Sequence, residues 1–355
     1  MIEIIKLGSV ASLDDPDATW HRGVHDVAVA ISLDKFGSAD FAMTPGDIVG
    51  FCLPNPDSTN AMAVALADGV VVGYAYCEAP NNDNLNLAEL NINVHPNWRR
   101  QGVGTQLLAW ASQQAVELGR TTCLMYVQTP PPTTGQDVVD APPGGQMAVD
   151  HSVAFALKHG YSLEQIDRVS HLSLPVDAEL LATLLDQAAS AATGYSLHIW
   201  QTPLPSQWLD SFAALRSRVT IDAPQADIDV EQEVWDADRL ARVWEENTKT
   251  GDHSLVVAAE DDATGQLIAF TQVYWNDWRP DMAWQAYTFV RADHRGHRLG
   301  LLIKATMLGQ LAKLTPAITR IYTENATENS FMLSVNQAIG YQLFCLGGTF
   351  QKKTA

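Results

Sequence analysis

The chain repeats itself at long range. Val94-His-Pro-Asn-Trp-Arg99-Arg100-Gln101-Gly102-Val103-Gly104-Thr105 returns 196 residues later as Val290-Arg-Ala-Asp-His-Arg295-Gly296-His297-Arg298-Leu299-Gly300, with the same Val-to-Arg-to-Gly spacing. The offset holds upstream as well, where Gly69-Val-Val-Val-Gly-Tyr74 falls on Gly265-Gln-Leu-Ile-Ala-Phe270. Two related half-chains are therefore expected, each one structural unit. A length of 355 residues is sufficient for both.

Each copy reads as strand, short basic loop, helix. On the first, Leu85 to Val94 is the strand, and Val103, Leu107, Ala111, Ala115 and Leu118 recur at helical spacing before Gly119 stops the helix. Glycines at Gly102 and Gly104 let backbone come close to a ligand, and the first amides of a helix are unpaired donors at the positive end of its dipole. With Arg99 and Arg100 beside them, the loop suits an anion such as a pyrophosphate. An ordinary strand-to-helix turn is the alternative for one copy, and the second copy weighs against it.

Arg-x-x-Gly-x-Gly at Arg99, Gly102 and Gly104, after a strand ending in Val and before an amphipathic helix, resembles the coenzyme A loop of the GNAT superfamily of N-acetyltransferases. Both halves also end in a helix followed by Gly-Tyr, at Gly160-Tyr161 and Gly340-Tyr341, similar to the family's closing turn. The whole chain thus resembles a tandem GNAT protein. The resemblance implies an α/β (α+β) fold of two domains, each a mixed, mostly antiparallel twisted sheet flanked by helices. Boundaries are expected at residues 1–175 for the first domain, 176–192 for a linker helix and 193–355 for the second.

The resemblance also implies acetyl-CoA as cosubstrate. Its carbonyl would be polarised by the Val94 amide and its pyrophosphate held by Arg99, Arg100, Gln101, Gly102, Val103, Gly104 and Thr105. Val290, Arg295, Gly296, His297, Arg298, Leu299 and Gly300 are the matching candidates in the second half. Asn329 lies eleven residues before the closing Gly340, where the family places an asparagine, and Asn325 is on the same stretch; the first half has Val149 there. Many GNAT enzymes carry a proton-donating tyrosine four residues before the closing glycine, but Ala156 and Asn336 stand there. Arg298 also replaces the glycine found at Gly102. A side chain at that point would crowd a phosphate, or its charge would bind one.

The strand 85–94 alternates as Leu85, Leu87, then Leu90, Ile92, Val94, a phase slip of the kind one inserted residue produces. Glu89 sits at the slip. In the resembling family this strand splays from its neighbour and the acyl group lies in the gap. Two roles are open to Glu89: a general base for an incoming ammonium, its pKa raised by burial, or an outward-facing strand carboxylate. The offset places Gln285 at this position in the second half, and an amide cannot be a base.

The remaining chain is read more coarsely. Met1 to Leu7, Ala61 to Asp68 before the Asp68-Gly69 turn, and Thr122 to Val127 are expected strands, and Trp20 to Leu33 and Ala148 to His159 helices. Gln128 to Gly145 is too rich in proline and glycine for regular structure and is either a lid or a passive insertion; it accounts for the sixteen extra residues of the first half between loop and closing glycine. Val169 to Leu174 is expected to complete the first domain. Asp177 to Ala191 is the expected linker helix, followed by a strand from Tyr195 to Gln201 and helices from about Pro205 to Val219 and Val230 to Glu246. Leu255 to Ala259, Gln266 to Trp275 and Trp284 to Val290 are the strands of the second copy.

Composition limits the partners. A net charge of -19 disfavours nucleic acid and anionic membranes and would favour a cationic amine, although acidity also serves solubility. No apolar run approaches a membrane span and Met1 to Lys6 is too short for a secretion signal, so a cytoplasmic location is the default expectation. Cys52, Cys77, Cys123 and Cys345 make no close pair and read as free thiols. His21 and His25 lie one helical turn apart without a third ligand, so no metal site is assigned. The expected activity is acetyl transfer to a primary amine of a small molecule, by a monomer or homodimer. The alternatives are a non-catalytic acyl-CoA-binding module and an aminoacyl transferase acting on peptidoglycan precursors, the latter disfavoured by the acidic charge because its donor is aminoacyl-tRNA.

Overall fold

The structure, a computed structural model, describes residues 1–222 and 226–353, and within them each half of the sequence builds the same succession of strands apart from one short hairpin inserted in the first. Two units are distinguished. One comprises Met1–Ile166, Ala226–Glu231 and Leu346–Ala355, and the other Asp167–Gln225 and Gln232–Cys345.

The first unit contains β1 (Ile2–Lys6), α1 (Thr19–Phe36), α2 (Pro45–Phe51), β2 (Ser58–Ala67), β3 (Val70–Pro80), β4 (Leu87–Val94), α3 (Val103–Glu117) and β5 (Thr122–Thr129). Neighbouring strands pair antiparallel from β1 to β4, and β4 runs parallel to β5. Asp68 and Gly69 make the β2–β3 turn with φ of 49° and 81°, the left-handed conformation a two-residue hairpin needs. On one face of the sheet Val24, Val27 and Ala28 of α1 and Ile48 of α2 pack on Met62, Val64, Leu66 and Tyr74. The other face receives Val103, Leu107, Ala111 and Ala115 of α3. Leu107 is fully buried, worth roughly 1.5–3 kcal/mol for a side chain of that size.

Gln128 to Gly145 does not lack regular structure: it carries β6 (Val138–Asp140), which pairs with β7 (Gln146–Ala148) around the tight turn at Gly144 and Gly145. α4 (His151–Lys158) follows, its first amides capped by Asp150, and then β8 (Ser162–Ser173).

In the second unit, α5 (Ala178–Ala189), β9 (Tyr195–Gln201), α6 (Leu209–Ser217), α7 (Val219–Asp222), α8 (Ala237–Thr250), β10 (Asp252–Asp261), β11 (Gln266–Asn276) and β12 (Arg279–Val290) are followed by α9 (Leu299–Leu314), β13 (Arg320–Ala326), α10 (Ser330–Ile339) and β14 (Gln342–Lys353). Pairing from β9 through β12 is antiparallel, and β12 runs parallel to β13, as β4 does to β5. Rather than a bare linker, α5 is core structure, because its Leu184 and Ala188 pack with Leu302, Met307 and Leu311 of α9.

Three further expectations are corrected. Val169 to Leu174 does not complete the first domain: residues 167–173 pair antiparallel with β13, whereas residues 346–353 of β14 pair with β5. Beside both β5 and β13, therefore, runs a strand from the opposite half of the sequence. The helix expected from Val230 starts only at Ala237, where the Asp236 carboxylate accepts from the Arg239 amide. The preceding residues are committed elsewhere, with Asp229 N–H donating to Gln351 Oε1 at 2.8 Å and Glu231 N–H to Asn84 Oδ1. Lastly, β4 contains no inserted residue, since its register with β3 is unbroken from Gly73↔Val94 to Glu78↔Glu89. Leu87 and Ala88 are both buried, so both faces are covered there and alternation fails for that reason.

His21 and His25 each hydrogen-bond a backbone carbonyl, of Gly8 and Met43, at 2.9 Å. The four cysteines are free thiols. No described helix is long and apolar enough to cross a membrane.

Candidate functional site

Pairing between β4 and β5 stops at Glu89↔Leu124, although β4 continues to Val94 and β5 to Thr129. The two parallel strands part there and leave a gap. His95 N–H donates to Val72 O at 3.0 Å, which makes His95–Val72 a hydrogen-bonded antiparallel pair. In the alternating antiparallel pattern the next pair is Val94–Gly73, whose N–H groups turn outward. The Val94 amide therefore points from β3 toward the side where β5 has left.

Immediately beyond, the loop enters α3 with two residues in the left-handed region, Arg100 (φ 63°) and Gly102 (φ 82°). Gly102 is the helix cap residue, and no described side chain caps α3. By contrast, Thr44, Asp150, Asp177, Asp236 and Asn329 cap α2, α4, α5, α8 and α10. The first-turn amides of Val103, Gly104 and Thr105 are left at the positive end of the helix dipole, a site suited to an anion. A Cβ on Gly102 would meet nothing within 4 Å, so the space above the loop is open, whereas one on Gly104 would lie 3.2 Å from the Phe155 ring and 3.5 Å from Val94. Gly102 thus supplies conformation and Gly104 supplies close packing.

Of the predicted basic contacts, Arg99 is already engaged, its guanidinium 2.6 Å from Asp34 at the end of α1. Next to it Lys35 binds Asp150 at 3.1 Å, so α1 braces both the loop and the start of α4. Arg100 and Gln101 are exposed, and the Gln101 amide folds back on Asn97 O at 3.1 Å.

Glu89 faces the α1 side of the sheet. Its register partner is Glu78, and the neighbouring pair is Tyr76↔Asn91. Residues directly opposite share a face, so two carboxylates, a tyrosine and an asparagine form one strip under the gap. Glu89 reaches solvent yet has protein around it on most sides, as a group in an open cleft does. That surround, with the Glu78 charge added, pushes its carboxyl up to about 7. Burial also raises Glu78 and, with both glutamates near it, Tyr76.

The second unit repeats the framework with different chemistry. β12 and β13 part after Gln285↔Thr323. Arg291 N–H donates to Ile268 O at 2.9 Å, so the Val290 amide also turns outward. Left-handed residues recur at Gly296 (φ 91°) and Arg298 (φ 54°), and no described side chain caps α9. Glycine and arginine have exchanged places between the two left-handed positions of the two loops. Arg295 is tied back to Val290 O at 3.2 Å, His297 lies beside the Tyr195 ring, and Leu299 is buried. A Cβ on Gly300 would sit 3.7 Å from Phe331 and 3.9 Å from Val290, repeating the Gly104 packing more loosely.

Here β12 does bulge, since Gln272 pairs with Tyr287 but Val273 pairs with Gln285. The extra residue, Ala286, turns Gln285 to the α9 side, opposite to Glu89. Gln285 is buried there, accepting from Tyr341 Oη at 2.9 Å and donating to Thr271 Oγ1 at 2.8 Å. Asn336, at the tyrosine-equivalent position, accepts from Lys304 Nζ at 2.6 Å and donates to Asn325 Oδ1 at 2.6 Å. Asn329 is occupied as the cap of α10. Complete burial of Lys304 lowers its amine to about 7.

Sequence reasoning missed Glu78, Tyr76 and Asn91. Their signal was polar residues at every second position, Tyr74-x-Tyr76-x-Glu78 opposite Glu89-x-Asn91-x-Asn93, but only the register shows that the two runs face each other. Among the described residues no cluster of three potential metal ligands is present.

Residues 30–134 match the family model described as Acetyltransferase (GNAT) family. No curated protein matches the chain. Among solved structures, the fold is similar to a tandem GNAT protein from the clavulanic acid biosynthesis pathway, with TM-score 0.74 and 24% identity over 100% of this chain and 99% of that one. It is also similar to a GCN5-related N-acetyltransferase from Sphaerobacter thermophilus, with TM-score 0.61 and 14% identity over 99% of this chain and 95% of that one. These likenesses establish the fold as that of two GNAT domains in one chain.

Proposed function

From the premise of a tandem GNAT fold whose residues 30–134 match the acetyltransferase family, we propose that the first unit transfers an acetyl group from acetyl-CoA to a primary amine of a small molecule. The observation that carries this reading is the placing of Glu89 opposite Glu78 at the last β4–β5 pair, on the gap toward which the Val94 amide points.

The uncapped amides of Val103, Gly104 and Thr105, with the open space over Gly102, fit a diphosphate, and these residues with Arg100 would hold that part of acetyl-CoA. When bound, acetyl-CoA supplies an acyl group activated as a thioester. The two carboxylates attract the acceptor as an ammonium ion. Glu89, with a pKa near neutrality, takes its proton directly or through a water, and the freed nitrogen attacks the acyl carbon. The Val94 N–H stabilises negative charge on the carbonyl oxygen. A carbon–nitrogen bond forms as the carbon–sulfur bond breaks. Ala156 is fully buried and apolar, so it offers no proton to the departing thiolate, which takes through water the second proton that the nitrogen loses as the amide forms.

The second unit supports a binding reading better than a catalytic one, because Gln285 is neither a base nor on the Glu89 side. The test is thiol release from acetyl-CoA with a panel of diamines and amino sugars, alongside calorimetry of coenzyme A. Wild type should release thiol with at least one amine. Gly102→Glu, which puts a carboxylate over the loop, should abolish uptake at the first unit. No release with any amine, or uptake at that unit untouched by Gly102→Glu, refutes the assignment.

A further inference from the structure

On the face of the second unit's strands that corresponds to the Glu78–Glu89 strip, the carboxylates are replaced by a buried cation. The 196-residue offset puts Tyr274 at the Glu78 position, and Tyr287 occupies β12 just past the bulge, in the segment that has parted from β13. Arg216 of α6 lies over the Tyr287 ring, with Tyr274 close enough to act on it electrostatically. Its guanidinium carbon lies 3.9 Å from the Tyr287 ring centroid and 4.5 Å from that of Trp235.

The side chain is 6% exposed, and among the described residues its Nη1 is buried with no hydrogen-bond partner. Tyr287 hydrogen-bonds the guanidinium and, with Tyr274 and Glu233, acts on it electrostatically, but the Glu233 carboxylate accepts from the Trp235 indole N–H at 2.6 Å and none of these groups fills Nη1. Burying a guanidinium without filling its donors costs stability and needs a compensating partner. The Trp235 and Tyr287 rings lie against the guanidinium, and Nη1 is the donor left for recognition. A guanidinium edge matches the planar, two-oxygen geometry of a carboxylate. Tyr274, Tyr287 and Trp235 are only half-buried, so the box borders solvent.

We propose that the second unit binds a carboxylate-bearing small molecule, with the Arg216 edge as its receptor between Trp235 and Tyr287. This does not depend on acetyl transfer by the first unit. In this proposal the two units select ligands of opposite charge, an ammonium at Glu78 and Glu89 and a carboxylate at Arg216.

Titration calorimetry of the full chain with succinate, glutarate and glutamate, and with inorganic phosphate and putrescine as comparators, tests it. Wild type should take up at least one of the carboxylates, and Arg216→Met should abolish that uptake. Arg216→Lys retains the buried charge but not the flat edge and should bind at least tenfold more weakly, which keeps the test valid if the methionine variant does not fold. Equal affinity in Arg216→Lys, no uptake of any of the three carboxylates by wild type, or phosphate binding as tightly as they do would each overturn the proposal.

Discussion

The two units share strand order, the parting of two central parallel strands, an outward valine amide and an uncapped helix entered through two left-handed residues. They differ where a ligand would meet them. An unbroken β4 turns Glu89 to the α1 side, while one extra residue in β12 turns Gln285 to the α9 side. Because side chains alternate with a period of two, a single bulge exchanges which residue faces the cleft. Duplicated backbone can therefore keep one feature, a helix start with no side-chain cap, while neighbouring side chains diverge.

The largest effect is expected at that pair. Glu89→Gln should lower kcat/KM by about 100-fold or more, the usual scale for a lost general base. The wild-type rate should rise with pH through about 7, where the Glu89 carboxyl loses its proton, and this rise should flatten in the variant. Gln285→Glu on the Glu89→Gln background should restore nothing. Any recovery would mean that residue 285 serves the second unit's cleft despite the bulge.

Next in size is a packing contrast. A Cβ on Gly73 would lie 2.7 Å from the Asn93 carbonyl oxygen and 3.1 Å from Leu107, whereas the second unit has Ala269 at the corresponding place. Gly73→Ala should cost about 1–3 kcal/mol in urea unfolding. Ala269→Gly should cost only about 0.5–1 kcal/mol. Equal losses would show that the two helices approach their sheets alike.

Lys304 stands where the first unit has Leu108 and gives a pH signature. Its folded pKa of about 7 lies below the model-compound value of 10.5, so between those limits the unfolded chain binds more protons. Wild-type stability should rise with pH there relative to Lys304→Met, by up to about 1 kcal/mol per pH unit. A difference that stays constant with pH would place a charged ammonium in the core. The smallest expected change is at Arg298, where φ is 54°. Arg298→Gly should relieve left-handed strain and stabilise by about 0.5–1 kcal/mol, whereas Gly102→Ala should destabilise.

Much of the site was legible because its signals are local. The loop needs glycine where the chain is left-handed and an apolar stripe behind it, and Gly102 and the Val103-to-Ala115 series display both. The parting of the strands at Glu89 was implied by the family resemblance, and the pairing ends there. The bulge was assigned to the wrong half, because Leu87 is buried on the face opposite Leu90 and that mimics a slip. Arg216 gave no signal, since an arginine on an amphipathic helix reads as a surface residue until Trp235 and Tyr287 are seen to close over it.

By itself, then, the sequence determined that there are two units, what order their main elements follow and where each enters a helix from a left-handed loop residue. Those properties come from periodicity and glycine placement within about twenty residues of chain. Tertiary structure alone decided which strands run beside β5 and β13, which face Glu89 and Gln285 occupy, and that the face carrying Glu78 in one unit carries the buried Arg216 in the other. These are matters of pairing register between distant segments, and register depends on the packing of both faces at once, which no single stretch of residues encodes.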